Sequence, residues 1–192
     1  MRKLHPLVAA ACLALSTGEL QSCTGFGGLK RLPDAQAVIA DMRFPGSPLT
    51  IEAAADRPDG AYRAGEKIRL SVRLDKPAYL AVLEVRKSGE TRLLFPNKAH
   101  PGAFEPANVV VSIPGPRDAF VILAPRPGTV LLEVVASTSG ASWLFQRTPA
   151  GSSTFAELGA TTRLLAKEIA SALKHNGGAA AAAVVMIHVA TD

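Results

Sequence analysis

Past residue 22 the chain holds three histidines, His100, His175 and His188, and one cysteine, Cys23. A helical metal site of the HExxH kind needs its imidazoles a few residues apart, and these three show no such spacing. A thiolate zinc site needs more than one Cys. The Gly-x-Ser-x-Gly elbow of nucleophilic hydrolases is absent, and Gly151-Ser152-Ser153 reads as loop. Carboxylates are sparse, and none forms an evident acid/base pair. Gly25-x-Gly27-Gly28 is no nucleotide loop, since no strand precedes it and no Lys-Ser/Thr follows at Walker spacing. These patterns predict a chain that is not an enzyme, with no cofactor and no metal.

Binding is the remaining chemistry, and two loops offer residues for it. The first, Asn97 to Asn108, carries His100 and Phe104 near Lys98 and Glu105. Structureless loops of about 12 residues are uncommon and often functional. This one reads either as a recognition loop with an aromatic anchor or as a loop whose Phe104 tucks onto the domain edge. The second, Thr138 to Ser153, carries Trp143, Leu144 and Phe145 in Gly/Ser-rich surroundings. Trp143 could stack on a sugar or anchor a partner, or the cluster could pack back on its own domain. Lys67, Arg69 and Arg73 form a basic row, which reads as a solvated strand face rather than a nucleic-acid site.

The elements that must position these loops centre on Tyr62 to Asn97. From Glu66 to Asp75, Ile68, Leu70, Val72 and Leu74 alternate with Lys67, Arg69, Ser71 and Arg73. Side chains of a strand alternate faces, so this is a strand with one wet side. Ala78 to Arg86 is apolar on both faces and reads as a central strand. Ser88-Gly89-Glu90 turns into Thr91 to Phe95. Further strands are predicted at Leu49 to Ala53, Asn108 to Ile113, Ala119 to Ala124, Thr129 to Ser137 and Val184 to Ala190. His188, on the last of these, reads as a half-buried structural residue. Short strands separated by Pro/Gly turns indicate an antiparallel β-sandwich. A C-terminal amphipathic helix is predicted at about 154–176, with Thr154 and Glu157 as a capping box and Phe155, Leu158, Thr162, Leu165, Ile169 and Leu173 as its apolar stripe.

Tyr62-x-x-Gly65-Glu66, Ala78-Tyr79-Leu80, Gly89 and Leu94-Phe95-Pro96-Asn97 resemble a bacterial family, domain of unknown function 4384. That family occurs in envelope lipoproteins and beside serine/threonine kinases and other signalling or protease domains. The resemblance covers roughly residues 49–137. It implies an immunoglobulin-like or related all-β module, and no activity or functional residues come with it.

The chain opens with the basic Met1-Arg2-Lys3, an apolar run Leu7 to Leu15 and a polar tail. The run is shorter than the ~20 residues a lasting span needs. Leu20-Gln21-Ser22-Cys23 resembles the lipobox of bacterial lipoproteins, with Gln21 a departure from the usual residue. The resemblance implies a signal peptide over 1–22, acylation of Cys23 with palmitate-like chains, and, because Thr24 rather than Asp follows, an outer-membrane protein facing the periplasm. Each buried CH₂ of such chains contributes about 0.8 kcal/mol. The alternative is plain secretion with a free thiol. Cys12 would leave with the leader, so no disulfide remains possible within the mature chain.

Residues 23–48, with Pro and Gly throughout, read as a flexible tether, with at most a weak helical turn or strand near Ala35 to Met42. Residues 49–192 read as the sandwich domain. Loss of Arg2, Lys3 and Glu19 with the leader takes the net charge from +5 to +4. That mild excess permits contact with an anionic glycan without requiring it. The expectation is a membrane-anchored, non-catalytic lipoprotein that binds an envelope protein or assists assembly. The alternative is a carbohydrate or peptidoglycan binder. A third reading, an enzyme, would need a compact polar pocket containing His100 or His188.

Overall fold

The computed structural model describes residues 32–191 apart from positions 148, 150 and 160. Cys23, the signal peptide and the start of the tether lie outside the described residues. In chain order the first elements are α1 (Asp34–Ala40), β1 (Ile51–Ala55), β2 (Ala61–Arg63), β3 (Lys67–Ile68), β4 (Leu70–Leu74), β5 (Ala78–Arg86) and β6 (Thr91–Phe95). There follow β7 (Phe104–Glu105), β8 (Val110–Ile113), β9 (Ile122–Leu123), β10 (Gly128–Ser137) and α2 (Trp143–Gln146). The last elements are β11 (Ala156–Glu157), α3 (Thr162–His175) and β12 (Ala180–Ala190).

A large sheet runs β11-β6-β5-β10-β12-β2, with β7 also paired to β5, and a small sheet runs β1-β4-β8. All pairs are antiparallel except β12 with β2. The two sheets enclose one core. Leu70, Val72 and Leu74 of β4 meet Leu80 and Val82 of β5 and Leu132 and Val134 of β10 there. The other face of the large sheet is also covered. Leu83, Val85, Leu131 and Val135 pack under Ile39 of α1 and Leu165, Ile169 and Leu173 of α3. The molecule is therefore mainly β, a sandwich with a helix followed by a final strand at its C-terminal end. It has three layers, and that is why β5 and β10 are apolar on both faces but for one buried glutamate each, Glu84 and Glu133: burial there excludes water from each side of the strand.

Four local expectations change. The strand expected over 66–75 divides at Arg69, where Arg69 N donates to Asp56 Oδ1 at 2.9 Å and Arg69 O accepts from Asp56 N at 2.8 Å. The alternation persists across the break, with Ile68, Leu70, Val72 and Leu74 buried and Lys67, Arg69, Ser71 and Arg73 exposed. The helix expected from 154 begins instead after Thr161, whose hydroxyl accepts from Leu164 N. Thr154 caps nothing, because Ala156–Glu157 extends the large sheet beside β6 and Leu158 N donates to Thr91 O at 2.9 Å. A sheet edge needing a partner outcompetes a local cap.

The tether expected over 23–48 is the third change. From Asp34 onward it is part of the folded body: Ile39, Ala40 and Met42 are buried, and Gln36 Nε2 donates to Val85 O (2.9 Å) and Thr129 O (3.0 Å). Ser47 Oγ accepts from Ala180 N at 3.1 Å. An apolar sheet face without cover would leave several side chains in water, so even this Pro- and Gly-containing segment is recruited to it. Lastly, β12 starts four residues before the predicted strand and runs the full length of β10, and His188 on it is exposed rather than half-buried.

Candidate functional site

The motifs that resemble the 4384 family turn out to stitch the fold. Gly65 takes φ +80 and its N–H donates to Ala124 O at 2.9 Å. Only glycine adopts that conformation without a Cβ penalty. Glu66 pairs with Arg57 and accepts from Arg63 N at 2.8 Å. Tyr62 is buried, its hydroxyl donates to Asp56 Oδ1 at 2.6 Å, and burial followed by that bond pushes its pKa up to about 12. Asn97, also buried, donates from Nδ2 to Leu94 O at 2.7 Å and accepts at Oδ1 from Ala99 N and His100 N, each at 2.9 Å. Its amide thus folds the next loop onto the strand end, so Leu-Phe-Pro-Asn acts as a loop pin.

That pin sets the Asn97 to Asn108 loop, which is not structureless. Leu80 N donates to Ala103 O at 2.7 Å, and Phe104–Glu105 pairs with Ala78–Tyr79 as β7. Consecutive strand residues point to opposite faces, so Phe104 and Glu105 separate. Phe104 stands edge-on to Tyr79 with ring centroids 5.1 Å apart, and 58% of it remains exposed. Glu105 turns to the opposite side, where it joins His100.

His100 stands edge-on to Phe95 at 5.0 Å, and its Nδ1 lies 2.8 Å from Asp118 Oδ1. The other Asp118 oxygen accepts from Gly115 N at 2.7 Å, which closes the Pro114–Asp118 turn. His100, Glu105 and Asp118, with Phe95, Ser112 and Ile113, line a pocket of about 270 Å³ at the open side of the sandwich. Burial raises the Glu105 carboxyl above its ordinary value; the nearby imidazole opposes this and the Asp118 charge adds to it. No described residue hydrogen-bonds the Glu105 carboxylate. Ser112 Oγ donates to Pro114 O at 3.2 Å, so the hydroxyl is committed to the turn and not to the imidazole. Such an arrangement offers two carboxylates and a hydrogen-bonding ring to a cation, and lacks an activated nucleophile.

The other predicted residues lie apart from it. Phe145 is buried with its ring 5.9 Å from Tyr79, so Tyr79 bridges Phe104 and Phe145. Trp143 is half-buried in α2, and the Arg147 guanidinium lies 5.6 Å from its ring centroid. His175 sits at the C-terminal end of α3, its Nδ1 2.7 Å from Ser171 O. Sequence reasoning passed over Glu105 and Asp118 as site residues. Asp three residues after Gly115 is a turn signal, but nothing local announces that it meets a histidine 18 residues away.

Also unforeseen are two buried carboxylates. Glu84 is held by Arg86 at 2.8 Å and Arg92 at 2.7 Å. Glu133, fully buried at the middle of β10, has neither oxygen hydrogen-bonded among the described residues. Burial raises its pKa to about 8, with Arg43 opposing.

Among the described residues no group of three or more His, Cys, Asp or Glu is placed to hold a metal ion, and no helix is long and apolar enough to cross a membrane. No curated protein and no solved structure matches the chain. One family does match, described as Domain of unknown function (DUF4384), over residues 61–140. From β2 to just past β10, including Tyr62, Gly65 and the Asn97 pin, the chain is similar to that domain.

Proposed function

We propose that the chain is a membrane-anchored lipoprotein of the bacterial cell envelope, held in the outer membrane facing the periplasm by acylated Cys23. Its sandwich serves as a non-catalytic module that binds an envelope protein or assists assembly. The observation that carries the binding role is the placement of exposed apolar side chains. Six large ones are exposed among the described residues, and five of them, Phe104, Val109, Val110, Val121 and Leu123, fall in one stretch of 20 residues. Exposed apolar side chains concentrated in one stretch of a domain favour a protein partner. Against the carbohydrate alternative stands Arg147, which occupies a position over Trp143 where a sugar would stack.

The test has two parts. Palmitate labelling with membrane fractionation compares the wild type with Cys23→Ser; label and membrane association both vanish in the variant if the anchor is correct, and an unlabelled, soluble wild type overturns it. Soluble peptidoglycan is then offered to the purified chain. Retention on it that depends on Trp143 would favour the carbohydrate reading over the protein-binding one.

A further inference from the structure

β8 pairs with β4 on one side and with no described strand on the other. The pairings of β8 and β9 run in one sense along β4 and β3: Val110 opposite Arg73, Ile113 opposite Leu70, Ile122 opposite Ile68, Leu123 opposite Lys67. The two strands therefore form one edge ribbon, interrupted at 114–121. Natural sheet edges are usually blunted by charge, proline or a bulge, because an open edge is a template for another strand. Here the interruption and Pro114 blunt one half. The other half, Val110–Ile113, carries no charge, with Val109 and Val110 exposed by 51% and 64%.

The open edge borders the acidic pocket. Val111, Ser112 and Ile113 of β8 line it, facing His100, Glu105 and Asp118. A strand laid beside β8 at the usual spacing of about 4.8 Å would point alternate side chains into that space. About 270 Å³ accommodates one long side chain. Arg117 at the rim is exposed and makes no ion pair with a described carboxylate. A cation entering there would meet Glu105, which has no described hydrogen-bond donor, and Asp118.

We propose that β8 is a docking edge to which an extended segment of a partner protein adds as a further strand of the small sheet, with a lysine or arginine of that segment seated between Glu105 and Asp118. The mode is strand addition, in which backbone hydrogen bonds supply affinity and a pocket for an alternate side chain supplies selectivity. Pairing with the β8 of a second copy does not meet this requirement, since its Val-Val-Ser-Ile brings no basic residue to the pocket. The inference rests on the protein-binding reading and specifies its surface.

The probe is a synthetic extended peptide of alternating valine and threonine with one central lysine, and its twin with central glutamate. Binding to the full-length chain in detergent is read by fluorescence anisotropy. The lysine peptide is expected to bind at least tenfold tighter than the glutamate peptide. Glu105→Gln with Asp118→Asn should remove that preference, and Val110→Lys, at an exposed position that leaves the core intact, should weaken both peptides. Equal binding of the two peptides by the wild type, or a preference that survives the double variant, overturns the proposal. So does a shift of the chain to dimer on sizing that Val110→Lys abolishes, which would give the edge to a second copy. Photocrosslinking in cells separates this from the broader reading: a protein captured through the exposed Phe104 or Leu164 but not through Val110 sinks the edge alone, and no protein captured at any of them sinks the binding module.

Discussion

Leu132 and Glu133 are neighbours on β10 and both are out of water, yet they meet different surroundings. Leu132 points between the two sheets, among Leu70, Val72, Leu80 and Val82. Glu133 points the other way, toward the layer formed by α1 and α3, where Gln36 is also buried with its Oε1 unpaired. The inner-face side of the central strands carries one buried carboxylate, Glu84 on β5, and it is paired with Arg86 and Arg92. The outer face keeps a carboxyl group and an amide, and each buried polar atom without a partner costs about 1–3 kcal/mol. The helical layer is thus the less stable attachment, and it is also the one supplied mostly from outside the matched stretch 61–140. A family-like sandwich and a covering built around it obey different packing demands.

The comparison breaks most visibly at its two centres. Glu133→Gln should stabilise the domain at pH 8. The folded pKa lies at about 8, above the ordinary 4.5. Stability linked to this group is therefore fully present below about pH 4.5 and is lost as pH rises toward 8, by an amount on the order of 3–5 kcal/mol. Denaturant melts at pH 5.5 and 8 should show a fall for the wild type that the Gln variant lacks; parallel curves would mean that Glu133 has found a partner. Leu132→Ala should destabilise by about 2–5 kcal/mol at either pH, since it opens a cavity between two sheets that cannot close on it. A loss below about 1 kcal/mol would place the tight packing elsewhere.

Smaller changes sharpen the contrast. Gln36→Ala removes two bonds to Val85 O and Thr129 O and should cost about 1–3 kcal/mol. Amide exchange should quicken in α1 and the adjoining part of β10 while β4 stays protected. Uniform quickening would show that the two layers open as one unit. The mildest effect is expected from His100→Ala, about 1 kcal/mol, seen as faster proteolysis within the loop of residues 97–108 and unchanged exchange in β5.

How far the sequence spoke differs between these regions. Ile68, Leu70, Val72 and Leu74 announced their shared face through period-2 alternation, and β5 announced burial on both sides. Neither pattern said what would cover each side. Thr154 and Glu157 made a sound capping box, and a vacant edge at β6 overrode it. Ala35 to Met42 has a helical tendency too weak to assert alone, which burial against β5 and β10 makes decisive.

By itself the sequence determined what local covalent geometry governs: strand periodicity, turns at Gly65 and Gly89, and the absence of closely spaced metal or nucleophile motifs. Only the tertiary structure decided which edges found partners, which carboxylates lost water, and that His100, Glu105 and Asp118 share one pocket beside an open strand. The physical reason is range. Backbone preference is set by neighbours in the chain, whereas desolvation and pairing depend on residues brought together from tens of positions away.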